Sequence, residues 1–512
     1  MRLVIFEPEN FRNFFPIAHL RPTFALRCGA SLLYEKTIRN HPGLPVSMFC
    51  RDSLTETFAG DMPPGCSLNE LATLENDLLI INGNLLIGEW MLESHGPEAV
   101  GVTADGELLY ARISRTTAAS LPRKNIHSFL AAVAANLPRR EIMDMNLLRW
   151  QWELVSNNAE AIASDFRLDD RKGVQGWFHE SVTVYGPANR LFVAAEAEIH
   201  PQVVIDTHGG PVTVESGAVV MPHSRLEGPC HIGPGTHITR GNIRAGCSIG
   251  PDCRVGGEVE ESIVHGRTNK YHDGFLGHSY LGEWVNIGAQ TVTSDLKNDY
   301  SEVSVYMQTG QEEWEFVPTG SQKVGSFIGD HVKTGIGTLL NTGSNIGTGA
   351  VLLAADGMLS KFVPSFCWLV DNAATGGFGL DGMLDIARTV VERRGDVFTS
   401  DYKSLLESVF ALTEGEREIV RGGGGRADGC GHGPAPDSVA GIVAGLLASL
   451  LGLDPESLEE DMRLAQDLGV ESLDRLRLVA VLEDTFGIKL AGLEIARAAT
   501  IGEIALLVED KL

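Results

Sequence analysis

Six histidines, His223, His231, His237, His265, His272 and His278, crowd the middle of the chain. Imidazole titrates nearest to neutral pH, so such residues act as general bases or, in sets of three, as zinc ligands. His231 and His237 fall on successive faces of the repeat described below, and no set is spaced to close a tetrahedral site within one chain. A base is therefore favoured over a zinc hydrase, and no metal site is expected. Two short stretches near the N-terminus, Leu20-Arg21-Pro22 and Asn82-Gly83-Asn84, sit where a ligand would meet the carboxyl ends of an open sheet. A guanidinium forks onto phosphate oxygens, whereas a neutral Asn84 amide is a weak ligand for a hard cation. Asn82-Gly83-Asn84 also reads as a turn after a strand. Far downstream, Ser472 opens a helical segment, a place where serine commonly serves as a cap.

The element that must position the histidines is a ladder of small aliphatic residues at every sixth position. One run reads Val214, Val220, Leu226, Ile232 and Ile238, then Ile243, Ile249 and Val255; a second reads Ile328, Thr334, Leu340, Ile346, Leu352 and Met358. This period fits a parallel β-helix with coils of about eighteen residues, the aliphatic side chains stacking inward. Gly follows several of them, as in Ile232-Gly233 and Ile346-Gly347, and is expected to take a positive φ in the adjacent turn. The ladder breaks between about Gly256 and Leu281, so this stretch, with His272 in it, reads as an active-site interruption.

Residues 1–123 read as α/β, with buried-strand signals at Leu3-Val4-Ile5-Phe6 and Leu78-Leu79-Ile80-Ile81. Residues 124–172 read as a helical connector and 173–370 as the β-helix. Helices are expected over 371–413, with caps near Asp381 and Ser400, followed by a Gly-rich linker over 414–436 containing Cys430 and His432. A separate helical domain takes 437–512. A formal charge of −26 argues against nucleic acid or anionic lipid as partners. With no membrane-span signal, no signal peptide and eight cysteines without paired spacing, the chain reads as soluble and cytoplasmic.

Three stretches carry resemblances. Arg21-Pro22 and Asn84 stand where a diverged branch of the sugar nucleotidyltransferases has a Lys-Pro pair and a magnesium-binding Asp, and EPENFRNFFPIAHL replaces its Gly-rich loop. The resemblance implies nucleotide binding at Arg21 and Asn84, with Mg2+ only if that domain is active. The stretch around VNIG resembles the acetyltransferase half of the bifunctional N-acetylglucosamine-1-phosphate uridyltransferase/glucosamine-1-phosphate acetyltransferase family. It implies a left-handed β-helix, a homotrimer, and a catalytic base at His272, fourteen residues before Asn286. Phe275 falls where that family has a substrate-binding Tyr, and Asp295-Leu296 where it has Asn-Tyr; Lys270 and Asn286 are candidates for orienting the sugar or its phosphate.

Residues 437–512 resemble an acyl carrier protein, with Glu471-Ser472-Leu473 in place of Asp-Ser-Leu. That implies 4'-phosphopantetheine on Ser472, loaded by a phosphopantetheinyl transferase and acyl-loading enzymes. With 15 acidic against 6 basic residues, this segment suits recognition by basic partners. The linker spans roughly 25 Å as a Gly-rich coil, which would hold the carrier near the β-helix at about millimolar effective concentration. The expected activity is acyl transfer from acetyl-CoA, another acyl-CoA or the carrier to the amine of a sugar phosphate or nucleotide sugar. Two alternatives are a bifunctional nucleotidyltransferase/acetyltransferase and a non-catalytic trimeric carrier platform.

Overall fold

A computed structural model describes residues 1–89, 92–309, 313–353, 357–370, 373–421 and 438–451, with shorter stretches between 453 and 490 and then 498–512. In the N-terminal sheet, Arg2–Phe6 pairs in parallel with Val46–Phe49 on one side and Leu78–Asn82 on the other. Leu108–Ile113, Ala99–Val102 and Arg139–Glu141 continue the sheet beyond Leu78–Asn82. Leu3, Val4 and Ile5 are fully buried because both faces are covered, which is why the strand reads as an unbroken apolar run. Phe129, Leu130 and Val133 of helix Ile126–Asn136 cover one face, against Val4 and Ile80. The α/β unit therefore runs past residue 123, and this helix is part of it rather than a connector. The other face is covered by Leu384, Leu405 and Leu406 from helices Gly379–Arg393 and Ser400–Leu412. The second of these is capped by Thr399, whose side chain accepts from the Tyr402 N–H, one residue before the expected Ser400.

From Gly173 onward short parallel strands stack into a β-helix. On one face Val214, Ile232, Ile249, Val264, Leu281, Ile328, Ile346 and Val363 follow each other in register. A second face stacks Val220, Ile238, Val255 and then Lys270. The stretch between Gly256 and Leu281 is thus no interruption: Arg254–Glu260, Ile263–Gly266, Phe275–Gly277 and Tyr280–Glu283 are coil strands. The six-residue period is lost there because the coil is short, fifteen residues from Ile249 to Val264 and from Val255 to Lys270. The real excursion follows it. Leu281 pairs directly with Ile328, and the intervening chain leaves the stack as an antiparallel hairpin, Ser304–Gln308 with Trp314–Pro318. At the far end Leu359, not the half-buried Met358, enters the core.

The glycines after the aliphatic positions have a different role from the one expected. Positive φ falls two residues later, at Gly235 (65°), Asp252 (55°), His331 (61°) and Gly349 (71°). Gly233, Gly250 and Gly347 are required instead by close approach of the neighbouring coil. A Cβ on Gly233 would lie 2.6 Å from the Gly250 carbonyl carbon, and one on Gly250 would strike the His265 carbonyl oxygen.

The α/β unit is joined to the β-helix by a shared core and a buried ion pair. Trp152, stacked on Trp150 at 5.0 Å, packs with Phe14 and Leu154 against Ile263, Tyr280 and Phe327. Arg21 donates from Nη2 to Asp330 Oδ1 at 2.7 Å and from Nη1 to Asp330 Oδ2 at 3.1 Å, and Glu283 lies 3.3 Å away. Behind the β-helix, Val439–Leu451 and Ile501–Glu509 share a small core with Leu458, Leu464 and Leu478. Among the described residues no helix is long and apolar enough to cross a membrane. Asp330 is fully buried, so Arg21→Ala strands a carboxylate and is expected to cost about 3–5 kcal/mol in urea unfolding. The double variant with Asp330→Asn should recover part of that loss.

Candidate functional site

One corner of the β-helix carries an open cleft of about 500 Å³ lined by His272, Tyr271, Asn286, Asn269, Arg254 and the turn at Gly335. Stacking places these groups together. Arg254 pairs with Asn269, Asn269 with Asn286, and Asn286 with Lys333, one residue per coil. Asn269 Nδ2 donates to Asn286 Oδ1 at 3.4 Å, and Arg394 from helix Gly379–Arg393's C-terminal cap donates to Asn269 Oδ1 at 2.6 Å. His272 is exposed in the turn between Asn269–Lys270 and Phe275–Gly277, with the Tyr271 ring edge-on at 5.4 Å.

Lys270 is not a surface contact for substrate. It occupies the inward position of the aliphatic stack, and its ammonium donates to the carbonyls of Gly256 (2.7 Å), His272 (3.0 Å) and Gly274 (2.6 Å). It ties down the backbone of the turn that bears His272. Burial pushes this lysine down to about 8, against the opposing pull of Asp273 and Glu258.

Phe275 and Asp295 lie outside this cleft. Asp295 Oδ2 accepts from, or shares a proton with, His278 Nδ1 at 2.7 Å, a base–carboxylate pair at a different corner. His231 and His265 are buried and bonded to Thr213 (2.8 Å) and Tyr280 (2.9 Å), and no cluster of three metal-ligating side chains occurs among the described residues. Sequence reasoning missed Arg254, Asn269 and Arg394. The first two carried a signal: Arg254 precedes His272, and Asn269 precedes Asn286, by about one coil.

At the N-terminal crevice the chain fills its own site. Arg21 is spent on Asp330 and Glu283. Glu7 accepts from the Thr23 N–H (2.9 Å), the Arg51 N–H (3.1 Å) and the Arg51 guanidinium (2.7 Å), and Arg51 also donates to the carbonyls of Ala18 and Arg21. Asn84 is fully buried, and neither atom of its amide has a hydrogen-bond partner among the described residues. Asn82 Oδ1 accepts from the Asn84 N–H at 3.0 Å, the geometry of a turn. A magnesium ion would need anionic oxygen here, and Glu7, whose oxygens are engaged, does not offer it. The residues do not fit the ion.

Residues 3–172 match the family described as sugar nucleotidyl transferase, and residues 442–508 the phosphopantetheine attachment site. The chain is GlmU-like, with a carrier domain fused behind it. It is 26% identical over 247 residues to the bifunctional protein GlmU of Nostoc sp., covering 44% of this chain and 49% of that protein. The GlmU of Synechococcus elongatus is 29% identical over 236 residues, 41% of this chain and 45% of its own length. With the GlmU of Jannaschia sp. the figure is 31% over 147 residues, 27% of this chain and 31% of that one. The chain thus spans less than half the length of the curated relatives it matches. Ser472, with Glu471 and Leu473, lies within the carrier match but outside the described residues.

Lys270→Met should leave interior carbonyls unpaired at about 1–3 kcal/mol each, read as a lower urea midpoint. Glu416 gives a pH signature. Burial raises its carboxyl to about 7, while Oε2 accepts from the Ser365 N–H at 2.8 Å. A raised folded-state value means the folded chain holds the proton more tightly. Its contribution is therefore full below the ordinary carboxylate range and lost as pH rises through about 7. The melting temperature should fall between pH 5 and pH 8, and Glu416→Gln should flatten that slope.

Proposed function

We propose that the chain is an acyltransferase that moves an acyl group from a thioester to the amine of a sugar phosphate or nucleotide sugar, with His272 as general base. The observation that carries this reading is the cleft itself, where an exposed imidazole shares an open pocket with cationic and amide groups stacked from successive coils. Arg254 suits the phosphate of such an acceptor, because a guanidinium forks onto its oxygens. Asn286 and Asn269 offer amides to sugar hydroxyls. His272 takes the proton that the attacking amine sheds and returns it to the departing thiol as the carbon–nitrogen bond replaces the carbon–sulfur bond. Lys270 acts behind the site by fixing the turn.

The donor is acetyl-CoA, another acyl-CoA or 4'-phosphopantetheine on Ser472, which a phosphopantetheinyl transferase and acyl-loading enzymes would prepare; the group supplies an acyl thioester. A homotrimer in the cytoplasm would bring a second subunit against the exposed cleft. The N-terminal domain serves as scaffold in this reading, since Glu7, Arg21 and Arg51 pack its crevice closed. His272→Ala is expected to lower kcat/KM for glucosamine-1-phosphate acylation by about 10²–10⁴-fold, measured by thiol release. A variant as fast as wild type would sink the assignment.

A further inference from the structure

The column of polar side chains at the His272 cleft has a polarity, and its direction is set from outside the cleft. An asparagine amide presents an acceptor on one side and a donor on the other, so each neighbour constrains which way it faces. Arg394, the C-terminal cap of helix Gly379–Arg393, supplies the fixed point. A guanidinium only donates, so the Asn269 atom that it meets at 2.6 Å is the oxygen, Oδ1. Asn269 Nδ2 therefore faces the next coil, where it donates to Asn286 at 3.4 Å, and the atom that receives it is again Oδ1. Asn286 Nδ2 is thereby left on the side of the cleft that this residue lines, with no hydrogen-bond partner among the described residues.

Arg394 is held in place by more than one contact. Its Nη1 donates to the Asp252 carbonyl at 2.9 Å. Two residues on, Asp396 meets Arg267 at 3.3 Å, and Arg267 also pairs with Glu283 at 2.8 Å. The end of the helix is thus pinned to the β-helix at Asp252, Arg267 and Asn269. On the far side of Asn286, Lys333 turns its ammonium to the carbonyls of Trp284 (2.8 Å) and His331 (3.0 Å) rather than to the Asn286 amide. The same helix covers the α/β sheet through Leu384, so its docking and the polarity of the cleft are one arrangement.

We infer that Arg394 is a positioning residue for the cleft: it fixes Asn269 and, through it, turns Asn286 Nδ2 towards substrate as a hydrogen-bond donor. This rests on the acyltransferase reading of the cleft. A group that only donates selects an oxygen that accepts. A phosphate oxygen of the acceptor or the carbonyl oxygen of the acyl thioester satisfies it, and the latter gains negative charge as the amine attacks. A reversed Asn286 would instead offer its oxygen to the ammonium of an amino sugar and hold the acceptor in its protonated, unreactive form.

The test is a double-variant cycle on the full-length chain, following thiol release from acetyl-CoA with glucosamine-1-phosphate as acceptor. Arg394→Glu puts an acceptor where the donor stood, turns both amides over, and should lower kcat/KM about 10–100-fold, the usual effect of a hydrogen bond to a charged group. Asn269→Asp keeps the Arg394 bond but offers Asn286 an oxygen, so it makes the same inversion and decides the matter if Arg394→Glu does not fold. Arg394→Met frees the amides without inverting them and should cost only about twofold, since roughly half of the orientations stay competent. Arg394→Lys still donates and should stay within about twofold of wild type. In an Asn286→Ala background there is no amide to orient, and Arg394→Glu should lower kcat/KM no further. The same loss repeated in that background, equal losses in Arg394→Glu and Arg394→Met, or wild-type rates in both inverting variants overturn the relay and leave the acyltransferase reading intact. A fall in kcat assigns the donor to the acyl carbonyl, and a rise in KM for glucosamine-1-phosphate at unchanged kcat assigns it to the phosphate; either supports the relay. No thiol release from the wild-type chain overturns the acyltransferase reading and this inference with it.

Discussion

The pairing of Arg21 with Asp330 is the constraint on which the two halves of the molecule depend. Asp330 is fully buried, accepts two bonds from the guanidinium, and also accepts the Glu283 N–H at 2.6 Å, so it fixes two adjacent coils as well as the α/β unit. A buried ion pair adds little net stability over an apolar core, because desolvation offsets most of the attraction. What it does impose is geometry, since removing either partner leaves a charge with no water. The surrounding apolar core supplies the adhesion, and the ion pair fixes where it forms. The same bond explains the character of the N-terminal crevice. An arginine engaged by two carboxylates has no fork left for a phosphate, and Glu7 with Arg51 packs the rest.

Coil length is the second constraint, and it decides where chemistry can sit. Stacking strands in register aligns their outward residues from coil to coil, so a column such as Arg254, Asn269 and Asn286 forms without any local motif. Where the coil shortens to fifteen residues, the inward position after Val255 is Lys270. An ammonium in an aliphatic stack is tolerated because three carbonyls meet it. Those carbonyls belong to the turn that carries His272 and to the coil before it. The short coil thus both exposes the histidine and anchors its backbone.

Much of the architecture was legible because its signals are periodic or local. The six-residue ladder follows from repeated stacking of Val214, Ile232 and Ile249, and the buried central strands read as unbroken apolar runs. The differences have two causes: contacts between residues far apart in sequence, and a change in coil length. Arg21 finds Asp330 across 309 positions, which no local pattern announces. The stretch from Gly256 to Leu281 read as an interruption because five-residue edges dephase a six-residue count, although its strands stack like the others. The helix at Ile126–Asn136 looked like a connector because its apolar positions do not say which sheet they cover. In the site, His272 and Asn286 share the cleft, while Phe275 and Asp295 lie outside it.

The His272 cleft and the small space under the hairpin differ in size and in chemistry, about 500 Å³ against about 20 Å³. The cleft is open and bears cationic and amide groups, so it suits a hydrated, anionic acceptor. The cavity is narrow and aromatic, with a neutral imidazole: burial, with Arg51 and Arg12 adding to it, pushes His19 down to about 3. A neutral ring can accept or donate one hydrogen bond but offers no charge to a phosphate. Gly469 of the C-terminal segment packs against the ring of Phe316 on the hairpin. That contact is apolar and short-range, so it does not depend on the charge balance of the chain.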